Sequence, residues 1–94
     1  MTYKESFIKF MVDCGVLTFG EFTLKSGRKA PYFINCGNYK TGGQLARLGE
    51  YYAECIVDNK IPVETLLGPA YKGIPLAVSA VVALSNKFGI DVSY

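Results

Sequence analysis

Histidine is absent from the chain, and its three cysteines, Cys14, Cys36 and Cys55, are odd in number and never spaced C-x-x-C. A zinc site has too few ligands to form, and a disulfide framework has no even set to build on. Met1-Thr2-Tyr3-Lys4-Glu5 lacks the basic-then-apolar signature of a secretory leader. The expected compartment is therefore a reducing cytoplasm, where such cysteines serve as small buried hydrophobes. Long hydrophobic runs are missing too. The longest, Ile74 to Leu84, is interrupted by Pro75 and Ser79 and falls well short of the ~20 residues of a membrane span, so no membrane partner is expected. Charge of one sign is also scarce: ten Lys and Arg against eight Asp and Glu leave a formal +2. The basic residues are scattered rather than gathered in a block, which disfavours nucleic acid as a partner. Neither internal repeats nor low-complexity segments are present.

What remains is a globular composition. Half of the residues are hydrophobic and 14% are aromatic, too apolar for a disordered tail. A chain of 94 residues is long enough for one compact domain, which would bury only about 60–65% of the surface its unfolded form exposes. Stability in reserve is small.

Thr2 stands three residues before Glu5, the spacing of a capping box in which each side chain satisfies an orphan amide of the first helical turn. A helix is expected over about residues 3–14, because Phe7, Ile8, Phe10, Met11 and Cys14 recur on one face and Gly15 supplies a left-handed stop. From Val16 the pattern turns to short β-prone runs, Phe22-Thr23-Leu24 and Tyr32-Phe33-Ile34. They flank a polar turn segment from Lys25 to Pro31 with Gly27 at its centre, which signals a β-hairpin. A second helix opens at Thr41, carries Leu45, Leu48, Tyr52, Cys55 and Ile56 on one stripe, and closes at Asn59 and Pro62. Val63 to Leu67 reads as a strand, Gly68 to Gly73 as a loop, Pro75 to about Phe88 as a helix apolar nearly all round, and Ile90 to Tyr94 as a strand. This is one βαβ unit and makes the fold class α/β. Its strands are expected to be parallel with a right-handed crossover. The Gly68–Gly73 loop then lies at the carboxyl end of the first strand, where such sheets bind ligands.

Two segments carry residue types suited to anions. In Gly68-Pro69-Ala70-Tyr71-Lys72-Gly73-Ile74-Pro75 the glycines permit close backbone approach, Pro75 suits a first helical turn, and Lys72 adds a full charge beside helix N-terminal amides. It is not a P-loop, since Ile74-Pro75 stands where Lys-Ser/Thr would be required. An ordinary strand-to-helix turn with a solvated lysine fits the same spacing. The segment Phe19 to Asn35 interleaves Lys25, Arg28 and Lys29 with aromatics, a surface able to stack a flat anionic ring and to answer its carboxylate or phosphate. Taken alone, it is equally a hairpin with Phe22 and Phe33 in the core and three cations on a solvated turn.

Phe19-Gly20-Glu21-Phe22-Thr23-Leu24-Lys25-Ser26-Gly27-Arg28-Lys29 and Pro31-Tyr32-Phe33, followed by the Gly68 to Pro75 segment, resemble the hallmark segments of bacterial-type orotate phosphoribosyltransferases. The resemblance runs from the first helix to Tyr94 and covers about the first half of a typical family member. It implies a type I phosphoribosyltransferase fold, with a helix and hairpin hood (1–40) on a helix and the opening βαβ unit of a parallel sheet (41–94). It further implies transfer of phosphoribosyl from 5-phosphoribosyl 1-diphosphate to orotate, giving orotidine 5′-phosphate and diphosphate in de novo pyrimidine (UMP) biosynthesis. Mg2+ would accompany the diphosphate, and the enzyme would be a cytoplasmic homodimer. By the same resemblance Lys25 would reach 5-phosphoribosyl 1-diphosphate, Phe33 and Ile34 would border orotate, and Tyr71 and Lys72 would sit in the pyrophosphate loop. Lys25 and Lys72 would oppose the negative charge developing in the reaction. Family members often carry a second aromatic at the position of Ile34, so a backbone contact to orotate is implied there more securely than stacking. A non-proline cis peptide near Ala70-Tyr71 is implied as well.

In the family, a basic loop and an Asp-Asp segment with Thr-rich phosphate-binding residues come after the point matching Tyr94. This chain has neither, and no adjacent pair of acidic residues substitutes. The chain alone is therefore expected to transfer no phosphoribosyl group, and to associate through its apolar third helix and the open edge of its last strand. The alternative is a non-catalytic module, or a regulatory relative, that binds orotate or diphosphate. A purine-type transferase is opposed by the Phe19 to Lys29 segment.

Overall fold

The structure is a computed structural model that describes residues 2–94. The chain divides into two compact units, Met1–Lys40 and Thr41–Tyr94.

The first unit opens with α1 (Tyr3–Asp13). The Thr2 hydroxyl oxygen accepts from the Glu5 amide at 3.2 Å, as the spacing predicts. The reciprocal half differs, because the Glu5 carboxylate meets the Thr2 hydroxyl at 3.3 Å and not its amide. The helix stops at Gly15, φ 72. There the Gly15 amide donates to the Val12 carbonyl and the Val16 amide to that of Met11, the double closure of a left-handed C-terminal cap.

The hairpin pairs β1 (Leu17–Thr23) with β2 (Lys29–Ile34), antiparallel, in the register Leu17↔Ile34, Thr18↔Phe33, Phe19↔Tyr32, Phe22↔Ala30 and Thr23↔Lys29. Both strands are longer than the β-prone runs. One extra residue of β1 is absorbed between Phe19 and Phe22, where Gly20 adopts φ 152. This bulge moves Phe22 from facing Lys29 to facing Ala30, and Pro31, which has no amide to donate, lies opposite the bulge. The turn is tighter than the polar segment suggests. Lys25, Ser26 and Gly27 form its loop, with the Leu24 amide donating to the Arg28 carbonyl (2.8 Å) and the Gly27 amide to the Leu24 carbonyl (2.9 Å). Beyond β2, the Asn38 side-chain amide donates to the Gly15 carbonyl at 2.7 Å, and Tyr39 stacks on Phe10 with centroids 5.8 Å apart.

The second unit is built on α2 (Gly42–Asp58) and α3 (Gly73–Phe88). A complete capping box starts α2: the Thr41 hydroxyl oxygen accepts from the Gln44 amide, and the Gln44 side chain accepts from the Thr41 amide, both at 3.1 Å. Asn59 caps the far end, but the left-handed residue is Lys60 (φ 52), not a glycine. The helices approach closely where side chains are small. A Cβ on Gly49 would stand 2.4 Å from the Ser79 carbonyl oxygen, and Ala53, Ala83 and Leu84 form the buried centre with Ile56, Val57, Phe88 and Val92 around it. Fully burying a side chain such as that of Leu84 contributes about 1.5–3 kcal/mol. The Tyr51 hydroxyl accepts from Arg47 at 2.8 Å and is the main cause holding that guanidinium above its ordinary pKa.

The expected βαβ unit is present in reduced form. Thr65 and Ser93 make an isolated parallel bridge, in which the Leu66 amide donates to Ser93 and the Ser93 amide to Glu64. The full strands expected over Val63 to Leu67 and Ile90 to Tyr94 do not form, since slanted parallel pairing is weak without neighbouring strands. The third helix begins two residues before Pro75, which lies in its first turn, where a missing amide costs nothing.

Candidate functional site

At the hairpin turn, three cations are compensated unequally. Lys29 pairs with Glu21 at 3.5 Å, whereas among the described residues Lys25 and Arg28 have no carboxylate within salt-bridge reach. Phe33 contacts Phe22 with ring centroids 5.8 Å apart yet stays 42% exposed, and Ile34 is 45% exposed. The core-only reading of the hairpin aromatics therefore fails for Phe33. Its ring offers free area for stacking, while the Ile34 side chain offers apolar contact only.

In the second unit, the Gly68–Gly73 loop is folded tightly on itself. A Cβ on Gly68 would lie 2.2 Å from the Gly73 carbonyl oxygen, and one on Gly73 would lie 2.5 Å from Cδ of Pro69. Only glycine allows the two ends of the loop to meet this closely. The Ala70–Tyr71 peptide is cis, as the resemblance implies. Tyr71 is 91% exposed, and Lys72 is exposed with no acidic partner among the described residues.

The donors differ from those expected. The helix N-terminal amides of Gly73 and Ile74 bond back to the Pro69 and Tyr71 carbonyls at 3.0 and 3.4 Å, and Pro75 has none. Instead the amides of Ala70, Tyr71 and Lys72 make no hydrogen bond among the described residues. Three successive open amides beside a lysine suit an anion with several oxygens. Loop amides were missed because the sequence pattern pointed to the helix terminus. A hollow of about 770 Å3 runs along α2 and α3 past Leu45, Ile74, Val78 and Val82 and includes neither Tyr71 nor Lys72.

The hairpin residues Lys25, Phe33 and Ile34 belong to one unit, and Tyr71 and Lys72 to the other. The described residues contain no group of three or more His, Cys, Asp or Glu able to hold a metal ion. No described helix is long and apolar enough to cross a membrane.

No protein-family profile matches the chain. Individual proteins do. The chain is 66% identical over 93 residues to the orotate phosphoribosyltransferase of Clostridium botulinum (strain Alaska E43), a match covering 98% of this chain and 42% of that protein. It is 58% identical over 92 residues to the orotate phosphoribosyltransferase of Pseudomonas putida (strain F1), covering 98% and 43%. The crystal structure of the Francisella tularensis orotate phosphoribosyltransferase superposes with a TM-score of 0.89 at 48% identity, over 98% of this chain and 45% of that one. The Leishmania donovani UMP synthase structure gives a TM-score of 0.63 at 27% identity, over 90% and 18%. The chain is thus similar over nearly its whole length, in sequence and in backbone, to orotate phosphoribosyltransferases, and it spans less than half the length of these curated relatives.

Proposed function

We propose that this chain serves orotate phosphoribosyl transfer, the conversion of orotate and 5-phosphoribosyl 1-diphosphate to orotidine 5′-phosphate and diphosphate, a step of pyrimidine biosynthesis. The observation that carries the reading is the Gly68–Gly73 loop, where the open amides of Ala70 to Lys72 and the unpaired Lys72 cation coincide with strong sequence similarity to enzymes of that name. In the reaction the bond between ribosyl carbon and diphosphate oxygen breaks, the bond to an orotate ring nitrogen forms, and that nitrogen gives up its proton. The ribosyl centre becomes cation-like as negative charge collects on the departing diphosphate. Such chemistry needs orientation and charge stabilisation more than a nucleophile.

Tyr71 and Lys72 hold the diphosphate in this reading, and Lys72 opposes its developing charge. Lys25 meets 5-phosphoribosyl 1-diphosphate from the hairpin turn, and Phe33 and the Ile34 backbone border orotate. Magnesium belongs to the substrate as the counter-ion of its diphosphate. A cytoplasmic homodimer is the working assembly.

The test follows orotate absorbance with 5-phosphoribosyl 1-diphosphate and magnesium, using both the complete natural polypeptide that carries this sequence and the 94-residue chain. The complete polypeptide is expected to consume orotate and to lose at least about 100-fold in rate on Lys72→Ala, of the order of removing one charge-stabilising donor. The 94-residue chain is expected to bind diphosphate weakly and to turn over nothing, since the loss of orientation alone forfeits up to ~7–11 kcal/mol of barrier reduction. Turnover by the short chain that survives Lys72→Ala would refute these assignments. Binding without turnover by the complete polypeptide would favour a non-catalytic module.

A further inference from the structure

We infer that Arg28 is a second anion-binding residue beside Lys25 at the hairpin turn, taking two oxygens of a substrate carboxylate or phosphoryl group. The inference rests on the reading of the hairpin as a substrate-binding element. Pairing of Leu24 with Arg28 closes the turn, and Thr23 pairs with Lys29 one position further along. Neighbouring residues of a strand leave opposite faces of the ribbon. Lys29 leaves on the face where Glu21 pairs with it at 3.5 Å. Arg28 leaves from the other face, where no carboxylate of the described residues reaches it.

Its backbone is nonetheless fixed. The Arg28 carbonyl accepts from the Leu24 amide at 2.8 Å, and Gly27, at φ 84, donates to the Leu24 carbonyl at 2.9 Å. Lys25 and Arg28 therefore rise from one small hydrogen-bonded frame carrying two uncompensated positive charges, and their mutual repulsion falls when an anion binds. A guanidinium adds what the lysine lacks: a planar fork of donors that matches two oxygens at once and orients the group it holds.

The experiment uses the complete natural polypeptide, with steady-state kinetics in both substrates and calorimetric binding of orotate and of inorganic diphosphate. Arg28→Gln is expected to raise KM for one substrate by about 10-fold or more and to weaken the matching ligand by a similar factor, while kcat moves less than about 3-fold. Arg28→Lys, which keeps the charge and loses the fork, recovers only part of the loss. Orotate as the affected ligand identifies a carboxylate, and diphosphate identifies a phosphoryl group. Lys4→Gln removes the same charge from α1 and is expected to change neither. The inference is overturned if Arg28→Gln matches the parent in both arms, or if Lys4→Gln has an equal effect, which would reduce it to net charge. In both cases turnover by the parent leaves the functional reading standing, whereas a parent that consumes no orotate overturns that reading and the inference with it.

Discussion

The hairpin unit and the helical unit solve the problem of holding a loop in opposite ways. Among the described residues the first buries a single hydrophobic side chain, Val16, and leaves Phe19, Tyr32, Phe33 and Ile34 exposed. Its turn is held by local hydrogen bonds across Leu24, Gly27 and Arg28. The second has a packed centre at Leu48, Ala53, Ala83 and Leu84, and its loop is held by backbone pressed on backbone at Gly68 and Gly73. Glycine is needed in both places for different reasons. Gly27 is there for its positive φ, with open space around it, whereas Gly68 is there because nothing larger fits.

The contrast is tested most severely at Gly68. In Gly68→Ala the added carbon meets the Gly73 carbonyl at 2.2 Å and Cα of Ile74 at 2.8 Å, backbone atoms that cannot rotate aside. Destabilisation by about 1–3 kcal/mol or more and loss of diphosphate binding are expected, read by urea unfolding and calorimetry. Unchanged binding would show that the loop does not need its closed shape. Gly27→Ala meets nothing within 4 Å and is expected to cost only about 1–2 kcal/mol, the penalty of a left-handed alanine. Binding of 5-phosphoribosyl 1-diphosphate, which Lys25 meets from this turn in the proposed reading, should weaken less than in Gly68→Ala; equal damage by the two substitutions would erase the distinction between the two loops.

The smallest effect concerns Lys87, in the last turn of α3, which forms an ion pair with Glu54 of α2. That hydrogen bond is the main cause raising the Lys87 pKa above its ordinary value of 10.5. The contribution of a raised lysine is fully present below the unfolded value and disappears as pH climbs through the folded one. Lys87 is 42% exposed, so the pair is worth less than about 1 kcal/mol. The stability gap between the parent and Lys87→Met should be constant from pH 7 to 9 and close above 10.5. A gap that widens with alkalinity would reverse the assignment.

Much of this was legible because local rules and tertiary packing agree. All three long helices follow from apolar spacing and stop residues, and Gly15 and Gly89 take the positive φ that a helix end demands. Thr41-x-x-Gln44 shows the same capping spacing as Thr2-x-x-Glu5, and of the two it is the one whose box closes completely. Three features depend on more than local pattern. The bulge between Phe19 and Phe22 depends on the partner strand, the left-handed Lys60 contradicts its own propensity, and the shrinkage of two strands to one bridge depends on neighbours that a strand pattern takes for granted. At the candidate site, Lys25, Phe33 and Lys72 stand out by residue type, whereas their roles and the choice of Ile34 and Tyr71 come through resemblance to a family. The open amides of Ala70 to Lys72 became visible only once the bonds of Gly73 and Ile74 were known.

The Thr65–Ser93 bridge sets an order of events as the chain folds. Its two hydroxyl oxygens meet at 2.7 Å across 28 residues of sequence, and one parallel bridge returns too little to draw together a flexible loop of that length. Sixteen of the intervening residues are α3, whose contacts are local and whose growth takes nanoseconds per residue. Once wound, the helix turns a long random search into the docking of two short arms. Pulse-labelled hydrogen exchange should therefore protect the amides of α3 before those of Leu66 and Ser93; simultaneous protection would mean that the bridge, slight as it is, belongs to the nucleus.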